Sequence, residues 1–87
     1  MTLKIEKVPD ASGTTLRLIG RMQVEHLLEL KTQIELSGSN VTLDLEEMNL
    51  VDVEAVRFLG GCQAQGVKIV RASPFIRNWI DSEADPD

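Results

Sequence analysis

Residues 41–66 read VTLDLEEMNLVDVEAVRFLGGCQAQG, and this stretch decides the fold. Apolar residues alternate at Val41, Leu43 and Leu45, the period-2 pattern of a half-buried strand. A short loop containing Met48 and Asn49 follows. Asp52-Val53-Glu54-Ala55 then opens a helix over roughly residues 53–65, with Ala55, Val56, Phe58, Leu59 and Cys62 on one face and Glu54, Arg57 and Gln65 opposite. Asp52 suits the N-cap, where a carboxylate oxygen takes a free backbone N–H of the first turn. Glu54 in that turn complements the positive end of the helix dipole. Gly60-Gly61 costs the helix roughly 1 kcal/mol per glycine against alanine, which close packing on the sheet accounts for. A strand's carboxyl end meeting a helix N-terminus is where α/β domains place their binding surfaces. Asp52 and its neighbours are therefore the first candidates for function.

Upstream, Leu3–Val8 alternates imperfectly and is expected as an edge strand. The turn formers Pro9-Asp10-Ala11-Ser12-Gly13 reverse the chain into a second, antiparallel strand over Thr15–Gly20, which Gly20 ends. From Gln23 to Leu36 the period becomes helical, with Val24, Leu27, Leu28, Leu30 and Ile34 in one apolar arc and Glu25, His26, Glu29, Thr32 and Gln33 outside it. Gly38 suits a left-handed cap at the end of this helix. Downstream, Gly66 ends the second helix and Val67–Ala72 supplies a fourth strand. Ser73-Pro74 is a cap followed by a first helical position, and Phe75, Ile76, Trp79 and Ile80 form a core stripe on the last helix. The element order is ββαβαβα. Right-handed crossovers make strands two, three and four parallel and leave strand one antiparallel, giving a small mixed sheet covered by helices.

Eighty-seven residues make one domain, taken as residues 1–81, followed by an acidic, flexible tail over 82–87. The net charge of -5 argues against nucleic acid, whose phosphates need a basic surface. The aromatic residues, Phe58, Phe75 and Trp79, are too few for stacking on bases or sugars. No apolar run approaches the roughly 20 residues of a membrane span. The start, MTLKIEKV, alternates like a strand and lacks the form of a signal peptide. A single cysteine fits a reducing compartment, so a cytoplasmic protein is expected.

Catalysis finds few candidates. His26 stands alone on the polar side of its helix, without the makings of a triad, and reads as a solvated surface histidine. Cys62 lies on an apolar face as a small hydrophobe, and one His and one Cys far apart make no metal site. Asp44 alternates out from its strand and Glu46 and Glu47 fall in a loop, so all three read as solvated carboxylates. Gly60-Gly61 lacks a following Lys-Ser/Thr and is no phosphate loop. No catalytic residue, metal or cofactor is expected, and no enzyme.

Three stretches together resemble a known family, the STAS domain of bacterial anti-sigma-factor antagonists and sulfate-transporter tails. Leu16-Arg17-Leu18-Ile19-Gly20-Arg21-Met22 resembles the family's second strand, and Val41-Thr42-Leu43-Asp44-Leu45 with Val51-Asp52 resembles the strand and loop before its switch site. Ser73-Pro74 resembles the start of its last helix. The order and spacing of these matches carry the resemblance, more than any one of them. The family's switch reads Asp-Ser-Ser/Thr-Gly, and a partner kinase phosphorylates its first serine to break a protein complex. Here Asp52 keeps the aspartate, Val53 stands at the phosphoacceptor, Glu54 at the second hydroxyl and Ala55 at the glycine. The resemblance thus implies a degenerate member without that switch, in which Glu54 either partly mimics a phosphate charge or serves only as the acid of the helix dipole. It implies a partner-docking surface of Met48, Asn49, Asp52, Val53, Glu54 and Arg57. The partner would be an anti-sigma factor or serine-kinase-like regulator in transcription control. Two alternatives are an accessory subunit of a lipid-transport ATPase and a small-ligand or nucleotide sensor. The oligomeric state is left open.

Overall fold

The computed structural model describes residues 3–38 and 40–84 of the 87. Strand β1 (Leu3–Asp10) turns through Ala11 and Ser12 into β2 (Gly13–Met22), and the two pair antiparallel along their length. A 3-10 turn (Val24–His26) leads into α1 (Leu27–Leu36). Next come β3 (Val41–Asp44), β4 (Met48–Val51), α2 (Val53–Ala64), β5 (Lys68–Val70) and α3 (Pro74–Ala84). β2 pairs parallel with β3, and β3 with β5, so the expected mixed sheet with one antiparallel strand is present in the order β1-β2-β3-β5.

One element is additional. Residues 48–51, expected as loop, form β4, which pairs parallel with the far half of β2 while β3 pairs with the near half. β3 and β4 thus occupy a single lane beside β2, broken by a turn in which the Met48 amide donates to the Leu45 carbonyl. β2 has to be long enough to serve both. It runs through Gly20, expected as its end, because Gly20 adopts φ +103 where the register shifts. A side-chain-bearing residue is disfavoured in that conformation.

Residues paired across a sheet share a face, and here the two faces differ. Leu16, Leu18 and Met22 of β2 and Val41 and Leu43 of β3 are buried with Leu30 of α1, Ala55, Val56 and Leu59 of α2, and Ile76 and Ile80 of α3. All three helices therefore cover one face. Each fully buried aliphatic side chain in that layer contributes roughly 1.5–3 kcal/mol against exposure. The other face carries the row Glu6, Arg17, Asp44 and Val70.

That charged row overturns the reading of Asp44 as solvated. It does point away from the helices, as alternation requires, but it is buried: Oδ1 accepts from the Glu46 amide at 3.0 Å and Oδ2 lies 3.5 Å from Arg71 Nε. Arg71 adopts φ +59, uncommon for a residue with a side chain, and also reaches Glu46 at 3.2 Å. Glu47 pairs with Arg17 at 2.6 Å. Both glutamates lie in the turn and are exposed, as expected, each beside an arginine.

The helices bring further corrections. On α1 only Leu27, Leu30 and Ile34 turn inward, whereas Val24 and Leu28, expected in the same arc, are exposed. On α3, Ile76 and Ile80 are buried and Trp79 half-buried, but Phe75 is exposed beside Trp79, their ring centroids 5.7 Å apart. The Ser73 hydroxyl accepts from the Ile76 amide, so the expected cap is present. Residues 82–84, expected in a flexible tail, continue α3, and Glu83 meets Arg57 at 3.1 Å. The rest of that tail lies outside the described residues. Gly38 takes the left-handed conformation expected at its helix end, and Gly66, expected to end the second helix, takes one as well.

Candidate functional site

The junction between β4 and α2 is built on Asp52. Its Oδ1 accepts from the Ala55 amide at 2.9 Å, the expected N-cap. Its Oδ2 accepts at 3.2 Å from the Val24 amide, 28 residues earlier in the chain. One carboxylate therefore satisfies backbone donors at the start of two helical segments and ties the end of β2 to the start of α2. The spacing within the sequence contains the first bond; the second exists only because β2 and β4 are neighbours.

The six residues expected at this surface do not all reach it. Asn49, Val53 and Glu54 are exposed and Asp52 is half-buried at the junction. Met48 is only 6% exposed and belongs to the core, since β4 turns that side chain toward the helices. Arg57 is exposed but engaged, 3.1 Å from Glu83 and 3.6 Å from Glu54. Glu54 thus faces a neighbouring guanidinium as well as the helix start.

What the sequence did not single out is that several apolar side chains near the junction are exposed. Val53 is 37% exposed, Leu50 51%, Val24 56% and Leu28 75%. Leu50 lies two residues before Asp52 and Val53 directly after it, while the Val24 amide sits on its carboxylate and Leu28 follows one turn on. Glu25, Glu29 and Glu54 are exposed around them. A second stripe at i, i+4 on the first helix was the available signal, masked because a single broad arc absorbed it. His26, expected to be solvated, is half-buried, and its Nδ1 accepts the Gln23 amide at 3.1 Å.

Cys62 is buried on α2, and burial pushes its thiol up to about 11, the opposite of an activated nucleophile. Among the described residues no cluster of three His, Cys, Asp or Glu is placed to hold a metal, and no helix is long and apolar enough to cross a membrane.

No family model matches the chain, and no curated protein matches it in sequence. Among solved structures it is similar to the anti-sigma factor antagonist SpoIIAA in its unphosphorylated form, with a TM-score of 0.67 over 88% of this chain and 79% of that one, at 14% identity. At that identity the likeness shows the fold. The STAS-like α/β architecture expected from the sequence is the one observed.

Proposed function

We propose that this chain is a non-enzymatic protein-binding module acting in bacterial partner-switching regulation, and that it docks through the β4–α2 junction. The observation that carries this is that Leu50 and Val53, on either side of Asp52 in the chain, and Val24, whose amide Asp52 binds, all expose apolar side chains at this junction. Apolar groups exposed near one another, beside charged residues, are what a contact surface uses. Covering them releases roughly 25 cal/mol per Å². SpoIIAA, which shares the fold, is an anti-sigma factor antagonist. An anti-sigma factor or a kinase-like regulator is the corresponding partner for this chain.

Docking here proceeds without phosphorylation at the position where the family places it. Val53, the first residue of α2, has no hydroxyl to modify. Glu54 supplies a permanent charge one residue on. The reading also puts the protein in the cytoplasm, where the lone thiol of Cys62 stays reduced.

Affinity capture from the native host with the wild-type chain and with Glu54→Lys tests this. The variant should lose the partner while melting within a degree or two of wild type, because Glu54 is exposed and its ion pair with Arg57 is a surface pair. Equal retention of the same proteins by both chains counts against docking at this junction.

A further inference from the structure

We infer that the opposite end of the sheet holds a second site, for a small molecule carrying one oxyanion group, phosphate or carboxylate. The amino-terminal ends of β2, β3 and β5 enclose a concavity of about 270 Å³, lined among others by Asp10, Thr15, Asn40, Thr42, Gly66 and Lys68. The pairing register sets Thr15, Thr42 and Lys68 in one row on the helix-free face. With adjacent strands about 4.8 Å apart, two hydroxyls and an ammonium fall within about 10 Å. Hydroxyls and an ammonium are the donors that hold an oxyanion.

The walls are fixed in place. Asn40 Nδ2 donates to the Ser12 carbonyl at 3.1 Å, and the Asn40 carbonyl accepts from the Thr14 amide at 2.9 Å. Gly13, at φ +153, packs so closely that a Cβ there would collide with the Asn40 carbonyl oxygen. The β1–β2 turn and the segment entering β3 are thereby riveted together over the cavity. Arg17, Arg57, Arg71 and Arg77 are all engaged by carboxylates, whereas Lys68 makes no ion pair with any described residue.

Asp10 is the acid in the lining, and its charge is already directed elsewhere. Its Oδ1 accepts both the Ser12 hydroxyl and the Ser12 amide, bonds that hold its carboxyl below the usual range. An incoming anion therefore meets one committed carboxylate and one uncommitted ammonium. This gives the two residues opposite effects on binding.

Titration of the ¹⁵N-labelled full chain with inorganic phosphate and, separately, acetate reads the site residue by residue. Amide shifts should saturate at millimolar anion and centre on Thr15, Thr42, Gly66 and Lys68. The tighter of the two probes identifies the group. Lys68→Gln should weaken binding about tenfold, the worth of one charge-assisted contact, and Thr42→Val should weaken it less. Asp10→Asn, which keeps the turn-forming amide oxygen, should tighten it. The inference is overturned if neither probe shifts these amides at millimolar concentration, if Lys68→Gln binds as wild type does, or if Asp10→Asn weakens binding.

Discussion

Asp52 separates two jobs that one substitution can pull apart. Asparagine keeps an oxygen for the Ala55 amide but offers N–H instead of an acceptor to the Val24 amide. Asp52→Asn should therefore cost less than about 1 kcal/mol and Asp52→Ala up to about 2 kcal/mol. Amide hydrogen exchange would separate the roles: Val24 should exchange faster in both variants, Ala55 only in Asp52→Ala. The cap was legible in the sequence because its partner is three residues away. The tie to Val24 was not, since nothing local links positions 28 apart. Asp44 fails for the same reason: alternation gives its face, but its ion pair is with Arg71, 27 residues on, whose left-handed backbone no sequence rule announces. Cys62 supplies a pH dependence. Burial raises the folded-state thiol above its unfolded value, so the stability it contributes is complete below the unfolded pKa and is lost as pH rises toward about 11. Urea midpoints should accordingly be flat around neutral pH and fall in the alkaline range, less steeply in Cys62→Ala. A steeper fall in that variant would contradict the assignment.

Among the elements, the long amphipathic and alternating ones were legible and the short dependent one was not. α2 and α3 follow their capping residues, and β3 follows its alternation, because those signals lie within each segment. β4 has no such autonomy: its four residues become a strand only against the part of β2 that β3 leaves unpaired. The double glycine of α2 divides in the same way. Gly60 is buried, as close packing requires, but a Cβ at Gly61 would meet nothing within 4 Å. Gly61→Ala should stabilise the protein by about 0.5–1 kcal/mol, the helix-propensity difference alone, seen as a raised melting temperature. A loss of stability would show that the space beside Gly61 is needed by the fold.

At the scale of the molecule, the sheet has one face under three helices and one face of charged and hydroxyl rows, and its two ends carry different chemistry. The carboxyl end presents apolar side chains about Asp52; the amino end presents donors about Lys68. The element order and the direction of the three principal parallel strands followed from the sequence, because short connections and right-handed crossovers leave few alternatives. The proposed docking surface was legible only in part. Asn49, Val53 and Glu54 are exposed and Asp52 is half-buried, but Met48 is in the core, and the exposed Leu50, Val24 and Leu28 belong to the proposed surface instead. The most direct test of docking at this junction is site-specific photo-crosslinking in the native host, with the reactive side chain placed in turn at Leu28, Leu50 and Val53, and at Lys7 on β1 as the control. Docking at the junction predicts one common protein adduct from the first three positions and none from Lys7. An adduct from Lys7 alone, or equal yields from all four positions, would contradict it.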